Sequence, residues 1–242
     1  EVEILEDGFT MDKKIKEEII QKKGRADNAT LSGDYYSAAS FCFGLNIQLR
    51  NKFFELEQLT KGRITQEFTA LEKQVKLLEM QLSQEKIDTI TDLQTLMVVK
   101  ERLNDVKEQI DLSRKNNHQL KELYSRLAYT EERLFSAVSW MEFFKMEGKK
   151  FVMDSERLKE SCMQKISESE ERNQYASLFV DQNVNNKIKK AQESLENGEY
   201  ALCLIIASQA KAESNAILSS LGLRNETVDD FLASKKRVTE RI

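Results

Sequence analysis

The sequence predicts an all-α protein, and three observations support this: its composition, its apolar periodicity and an internal repeat. The 242 residues include no proline and only eight glycines, and 32% of them are charged. Proline breaks helices and is common in sheet turns, so its absence favours long helices. Apolar residues recur at spacings of three and four along most of the chain, which is the period of an α-helix.

A short motif occurs twice and predicts two helix–turn–helix units. Around Gly33 and again around Gly198, the glycine is followed by an acid and a tyrosine, and then by a long stretch of small and apolar residues. A glycine after a helix supplies the left-handed conformation of a C-cap. The acid that follows, Asp34 in the first copy, is expected to cap the next helix. Repeated helical hairpins form scaffolds and docking surfaces more often than catalytic sites.

The first of these units is predicted over residues 11–60, after a lead-in of residues 1–10. Its first helix should end at Ser32, and its second helix should run from the glycine turn to about Thr60. The buried face of the second helix is predicted from residues spaced by three or four. These residues are Ala38, Phe41, Leu45, Leu49 and Phe53.

Residues 61–180 have a coiled-coil pattern with two breaks. A heptad seam covers residues 64–82, 96–110 and 120–141, and polar residues interrupt it at 85–92 and 113–118. Asparagines make the second break the better turn, and it lies midway between the two glycine motifs. We therefore expect an elongated antiparallel hairpin with arms of about 75 Å and the two glycine units paired at its base. The alternative is a compact bundle of shorter helices with turns at both breaks.

An aromatic cluster follows this arm, and a second glycine unit ends the chain. The aromatic residues are Phe135, Trp140, Phe143, Phe144 and Phe151. Burial where the arm enters a globular base is favoured over a partner groove, because aromatic residues dominate cores. The second unit is predicted over residues 181–242, with a polar loop at 181–186, helices near 185–197 and 199–221, and a last helix.

Few residues indicate catalysis. His118 is the single histidine and falls in the predicted turn, where nothing would wall off a catalytic site. Zinc, P-loop and dinucleotide-binding motifs are absent from the sequence, so no cofactor is expected. Cys42, Cys162 and Cys203 are odd in number and widely separated, which argues against a disulfide framework and against a zinc site. We expect Cys42 and Cys203 to be buried in helices.

Charge and hydropathy exclude two classes of partner. The 37 basic and 41 acidic residues are mixed along the chain and give a net charge of −4, so no basic stripe for nucleic acid is evident. No apolar run is long enough to span a bilayer, so membrane contact is expected only through segments outside this chain. The chain starts at Glu1 and stops at Ile242 within a helical pattern, which predicts a fragment of a longer protein.

Both glycine units resemble the centre of a tetratricopeptide repeat. The resemblance rests on Gly33-Asp34-Tyr35-Tyr36-Ser37-Ala38 and, less fully, on Gly198-Glu199-Tyr200 with Ala210. In that family the glycine lets two helices approach, the tyrosine packs between them, and alanines allow tight contact. The family's tryptophan and closing proline are absent, and Cys203 replaces a small alanine. The resemblance implies a TPR-like pair of hairpins rather than a regular superhelix.

The stretch from Gly33 to Ser40, followed by a long helical region and the second unit, is also similar to the region after the protease domain of archaeal Lon-like serine proteases. Those proteins have a Ser–Lys dyad and a secretory or membrane-anchoring segment. No serine here has that family's glycine-rich nucleophile context, so the catalytic domain would lie outside this chain. The resemblance implies an extracytoplasmic accessory domain that presents substrates or organises the protease. Without it, a cytoplasmic location is expected.

The predicted function is that of a non-catalytic helical domain for protein interaction or scaffolding. Its partners would be protein or peptide segments bound between the hairpins, or further copies that associate along exposed heptad faces. Tyr35, Tyr36 and Tyr200 are the candidate interaction residues. The alternatives are the protease-accessory role and a structural spacer whose arm sets a distance.

Overall fold

The computed structural model describes residues 13–115, 118–176, 182–220 and 228–239, so the predicted lead-in at 1–10 lies outside the described residues. The described residues form nine α-helices and one short 3₁₀ helix, which confirms the all-α class. The α-helices are α1 (Lys13–Leu31), α2 (Tyr35–Leu56), α3 (Lys61–Leu82), α4 (Ile90–Ser113), α5 (Leu120–Met141), α6 (Ser155–Ala176), α7 (Gln182–Glu196), α8 (Tyr200–Ser220) and α9 (Val228–Thr239).

Two compact units divide the chain. Unit 1 consists of residues 1–84 and 102–139, and unit 2 consists of residues 85–101 and 140–242. Unit 1 therefore contains α1–α3, the second half of α4 and nearly all of α5. Unit 2 contains the first half of α4 and helices α6–α9. The Gly33 turn belongs to unit 1 and the Gly198 turn to unit 2, and the expected pairing of the two turns stays a prediction.

The core of unit 1 is built from the predicted heptad seam. Its buried residues are Ile64, Phe68, Leu71, Val75 and Leu82 in α3, Leu103, Val106 and Ile110 in α4, and Leu123, Tyr124, Leu127 and Leu134 in α5. Removing these side chains from water is the main favourable term in folding. Leu120 and Val138, which the same register also predicts to be buried, are exposed because they lie near the two ends of α5.

The second break in the seam is a turn, as predicted. Helix α4 ends at Ser113 and α5 begins at Leu120. The first break is also a turn, as in the alternative of shorter helices with turns at both breaks. Helix α3 ends at Leu82, and α4 begins only at Ile90. The elongated hairpin is therefore not confirmed, because neither of its arms is a single helix.

The reason for the first turn is a capping box at the start of α4. The Thr89 hydroxyl accepts a hydrogen bond from the backbone N–H of Asp92 at 3.0 Å. The Asp92 carboxylate in return accepts from the N–H groups of Thr89 and Asp88 at 2.8 and 3.1 Å. Both Thr89 and Asp92 are buried. Their polar side chains satisfy backbone donors that a new helix leaves free, which explains why the seam is polar here.

Between α5 and α6, the 3₁₀ helix Glu142–Lys145 leads into an extended segment. This segment pairs with the residues before α4 in unit 2. Ile90 N–H donates to Lys149 O and Phe151 N–H donates to Asp88 O, both at 3.0 Å. The pairing brings Gly148 so close to Thr89 and Thr91 that a side chain would not fit.

The predicted aromatic cluster around this interruption is not buried as a group. Phe135 and Phe143 are exposed, and the Trp140 ring stacks on Phe143 with centroids 4.8 Å apart. Burial of the whole cluster is therefore wrong, since two of its five rings face solvent.

Unit 2 has a core that joins α6, α7 and α8. Its buried members include Ile166 of α6, Ala191 of α7, and Leu202 and Ile206 of α8. Helix α7 begins at Gln182, so the loop predicted for residues 181–186 is wrong from that residue onward.

Cys162 of α6 and Cys203 of α8 form a disulfide in this core, with their Cα atoms 5.8 Å apart. The sequence-based argument against a disulfide framework is therefore wrong, because helix packing brings two distant cysteines together. Cys203 is buried as predicted, but Cys42 is an exposed free thiol.

A charged contact also links α6 to α8. The Glu168 carboxylate lies 2.5 Å from Lys165 Nζ and 2.7 Å from Lys211 Nζ. Hydrogen bonds from Lys165 and Lys211 lower the pKa of Glu168 to about 2, from an ordinary value of 4.5. A lowered carboxyl pKa contributes stability above pH 4.5, and that contribution is lost as the pH falls toward 2. This link therefore persists at all but strongly acidic pH.

Substituting Gly148 by alanine should destabilise the protein. An alanine Cβ there would lie 2.7 Å from Thr91 Oγ1 and 3.0 Å from Thr89 Cβ. We expect a loss of about 1–3 kcal/mol, because well-packed sites tolerate extra atoms poorly. Gly44→Ala is the matched control, since no atom lies within 4 Å of its Cβ and α2 is helical there. That change should stabilise the protein by about 0.5–1 kcal/mol. Urea unfolding measures the stability of both variants. Equal unfolding midpoints for Gly148→Ala and Gly44→Ala would show that a side chain is tolerated at position 148.

Removing the disulfide should lower the stability of unit 2. The two cysteines are 41 residues apart. Closing a loop of that length in the unfolded chain is worth about 4 kcal/mol, so the Cys162→Ala/Cys203→Ala variant should unfold at much lower denaturant. Cys42→Ala, the control, should leave the midpoint unchanged. Thiol titration of the unfolded, unreduced protein should find one reactive thiol per chain, and finding three would show that the disulfide does not form.

Candidate functional site

The first glycine turn ends α1 in a Schellman motif. Gly33 has a φ of 77°, in the left-handed region that favours glycine. Its N–H donates to Thr30 O at 3.1 Å, and the N–H of Asp34 donates to Ala29 O at 2.9 Å. Asp34 is the N-cap residue of α2, but its side chain makes no capping hydrogen bond, so the predicted capping role of the carboxylate is wrong.

The second glycine turn has the same geometry. Gly198 has a φ of 75°. Its N–H donates to Leu195 O at 3.1 Å, and the N–H of Glu199 donates to Ser194 O at 2.8 Å. Each bond joins the same two positions, counted from the glycine, as in the first turn. The two turns predicted from the repeated motif are therefore equivalent in their backbone hydrogen bonds.

The helices on either side of each turn are linked in the same way as well. Lys22 Nζ donates to Gln48 Oε1 at 2.6 Å across the α1–α2 hairpin. Lys187 Nζ donates to the Glu213 carboxylate across the α7–α8 hairpin. Each lysine lies eleven residues before its glycine, and each acceptor lies fifteen residues after it. The two hairpins can therefore be compared position by position.

The first hairpin exposes apolar side chains beside its turn. Leu31, Tyr35 and Tyr36 are 86%, 72% and 84% exposed, and Ala39 and Cys42 are also exposed. Tyr35, Ala39 and Cys42 are spaced by four and three residues, so they form one stripe along α2. We call these five residues the α2 face. Exposed apolar surface of this kind marks interaction sites in soluble proteins.

The corresponding positions in the second hairpin are better covered. Tyr200 and Leu204, the counterparts of Tyr35 and Ala39, are half-buried. Ala201 and Ala207, the counterparts of Tyr36 and Cys42, are 5% and 0% exposed. The equivalent hairpins therefore differ in whether another part of the chain covers this face.

Helix α6 and the first half of α4 cover the face in unit 2. Ser169 of α6 donates its hydroxyl to Ala207 O at 2.7 Å, next to the disulfide between the same two helices. On α4, Lys100 pairs with Glu199, and Glu101 accepts from Gln209 at 3.5 Å. An additional helix thus occupies the place that is open on α2.

In unit 1, α5 covers only the later part of α2. Arg50 Nε lies 2.5 Å from the buried Glu132 carboxylate, which also accepts from Asn46 at 3.2 Å. Phe43 meets Tyr129 edge to face, with centroids 6.0 Å apart. These contacts begin beyond the α2 face, so α5 leaves the beginning of the helix uncovered.

The predicted buried face of α2 is correct in part. Ala38, Leu45 and Leu49 are buried, but Phe41 and Phe53 are exposed. Helix α2 ends at Leu56 rather than at the predicted Thr60. No charged residue occurs from position 35 to 49, so helical spacing alone could not tell which apolar side chains meet a neighbour.

A one-residue shift explains why a leucine is exposed only in the first turn. Leu31 lies two residues before its glycine and is exposed, whereas Leu195 lies three residues before its glycine and packs against the core of unit 2. One residue corresponds to a rotation of about 100° around an α-helix, so the two leucines point in different directions.

Two of the three predicted interaction residues lie together. Tyr35 and Tyr36 belong to the α2 face in unit 1, and Tyr200 lies half-buried in unit 2. Leu31, Ala39 and Cys42 were missed. The uncharged run that starts at Tyr35 could have indicated Ala39 and Cys42, but it does not include Leu31.

The described part of the chain offers neither a metal site nor a membrane span. Among its His, Cys, Asp and Glu residues, no group of three or more is placed to hold a metal ion. None of its helices combines the length and apolarity needed to cross a membrane.

Comparison with known proteins gives no family. No protein-family model, no curated protein and no solved structure matches the chain. The TPR-like and Lon-like resemblances therefore stay predictions.

Proposed function

We propose that this chain is a helical protein-interaction module whose α2 face receives an amphipathic helix from a partner protein. One observation carries the proposal. The same hairpin occurs twice, and the face that α6 covers in the second copy is open in the first. Helix-in-groove binding is a common mode of recognition between proteins.

The covered copy indicates which residues a partner helix would present. Helix α6 buries Leu158, Cys162, Ile166 and Ser169, spaced by three or four residues, and the serine supplies a hydroxyl to a carbonyl of α8. A partner of α2 is expected to have the same kind of stripe, with small residues opposite Cys42. Its centre should be uncharged, because α2 has no charge between positions 35 and 49 to pair with a buried one.

The two tyrosines supply most of the expected binding energy. Tyr35 and Tyr36 are among the most exposed apolar residues of the described chain. Tyrosine is enriched at binding hot spots because a large rigid ring is buried at little entropic cost. Losing a hot-spot side chain typically costs about 2 kcal/mol or more, which corresponds to a roughly thirtyfold weaker complex.

Cys42 provides a direct test, because it is the only free cysteine and it lies on the α2 face. A benzophenone maleimide attached to Cys42 should, on irradiation in cells that make the protein, crosslink to one segment of another protein. Peptide mass spectrometry should locate that segment in a sequence with apolar or small residues at helical spacing. Tyr35→Glu should reduce the crosslink about tenfold or more, because it places a charge in the buried interface.

The matched control is the same probe on the Leu77→Cys variant in a Cys42→Ser background, since Leu77 is an exposed apolar residue of α3 in the same unit. Crosslinks of equal yield and identity from positions 42 and 77 would contradict the proposal. So would a captured segment without helical apolar spacing. Capture of a second copy of this chain would identify the function as self-association instead.

An accessory role beside a serine protease is the second candidate. The Cys162–Cys203 disulfide favours it, because disulfides persist mainly in oxidising compartments and the Lon-like resemblance implies an extracytoplasmic domain. The complete gene decides between the two candidates. A Ser–Lys protease domain upstream of this region would favour the accessory role, and its absence would exclude that role.

A further inference from the structure

Unit 1 contains a cavity with the features of a ligand site. The proposed binding of a partner helix to the α2 face does not involve this cavity. It has a volume of about 380 Å³ and lies between the first half of α3 and the turn that joins α4 to α5. Its floor contains Ile64, Phe68 and Leu123, all buried. The volume is within the range of about 300–1,000 Å³ that small-molecule sites occupy.

The walls of this cavity are cationic. Lys61, Arg114 and Lys115 line it, and no carboxylate does. Arg114 is balanced by Glu72, 2.5 Å away. A hydrogen bond from Arg114, assisted by Lys76, lowers the pKa of that carboxyl below its usual value.

The two lysines are not balanced in this way. Lys61 Nζ donates to a neutral acceptor, His118 O, at 3.2 Å. Lys115 is exposed and makes no ion pair with a carboxylate of the described residues. Two positive charges thus share one cavity, and an anion placed between them would relieve their repulsion.

His118 lies in the turn between α4 and α5, as expected, but it closes one side of the cavity and is half-buried rather than open to solvent. Its Nε2 lies 2.8 Å from Leu112 O and its Nδ1 lies 3.3 Å from the Glu122 carboxylate. Both ring nitrogens are thus engaged in holding the turn. The imidazole is a wall of this cavity rather than a free catalytic base.

The hydroxyl groups around the cavity add acceptors. Thr65, Thr69 and Ser113 each donate their hydrogen to a backbone carbonyl of their own helix, at 2.9, 2.9 and 2.6 Å. Their oxygen lone pairs stay available to a ligand hydroxyl. Lys61 is the first residue of α3, so the positive end of that helix dipole lies on the same side.

We propose that this cavity binds a small molecule that carries a phosphate group. Lys61 and Lys115 would contact the phosphate oxygens, since lysine is a common phosphate ligand. The threonine and serine oxygens would accept hydrogen bonds from hydroxyl groups on the rest of the molecule, and its carbon skeleton would lie on Ile64 and Leu123. This site is independent of the α2 face.

The test is a titration of the isotope-labelled protein with inorganic pyrophosphate at constant ionic strength, followed by amide NMR shifts. Saturable shifts are expected at residues that line the cavity. Lys61→Ala/Lys115→Ala should raise the dissociation constant about tenfold, because each lost charge-assisted contact weakens binding. Lys23→Ala/Lys73→Ala removes the same net charge from α1 and α3 outside the cavity, and it should leave the dissociation constant within about twofold.

Two results would overturn this proposal. One is a set of shifts that stay linear and spread over the surface, which would indicate diffuse charge screening. The other is an equal weakening in both double variants. Circular dichroism melting of each variant is the control for folding. Because the substituted lysines are exposed, each variant should melt at the same temperature as the unchanged protein.

Discussion

Each unit contains an apolar helix directly after its glycine turn, α2 in unit 1 and α8 in unit 2. The structure of each unit depends on which neighbouring helices cover that helix. A Schellman turn sets α2 back against α1 and sets α8 back against α7, so each second helix gains one neighbour from its own hairpin. One neighbour covers only one side of a helix, and the uncharged first part of each of these helices has apolar side chains on several sides. Helix α8 has additional cover from α6 and α4, whereas α5 reaches only the later part of α2. This difference separates a covered helix in unit 2 from a partly exposed helix in unit 1.

The two units are stabilised by different means as a result. Unit 2 depends on α8 being enclosed, and both the Cys162–Cys203 disulfide and the Glu168 link tie α6 to it. Unit 1 depends on the heptad seam of α3, α4 and α5, to which the beginning of α2 contributes little. Tyr35 and Tyr36 are exposed and lie outside that seam. Their exposure costs solubility, and a partner would offset that cost by covering them.

The sequence predicted those features that depend on residues close to each other along the chain. Both glycine turns, the seam positions of α3 and the turn near residue 115 are of this kind, because local spacing and local conformational preference decide them. The capping box of Thr89 and Asp92 was also a local signal. In the heptad pattern, however, the two residues occupy positions where apolar side chains are expected, so they indicated only a break in the seam.

The features that could not be predicted depend on which helices pack against each other in the folded chain. The contact between Cys162 and Cys203 requires α6 to pack on α8, and no spacing rule gives that pairing. The exposure of Cys42 and Phe41 follows because no third helix of the described residues covers the start of α2. The one-residue difference between Leu31 and Leu195 was visible in the sequence, but its consequence became clear only from the direction in which each side chain points.

We infer that a partner helix covers the α2 face in the cell. The reactivity of the Cys42 thiol with a membrane-permeable maleimide measures this most directly, first in the purified chain and then in cells that make the protein. We expect rapid labelling of the purified protein and at least tenfold slower labelling in cells. A thiol at position 77 of the Cys42→Ser/Leu77→Cys variant should react at the same rate in both settings. Equal labelling rates of Cys42 in the purified protein and in cells would show that no partner covers the α2 face.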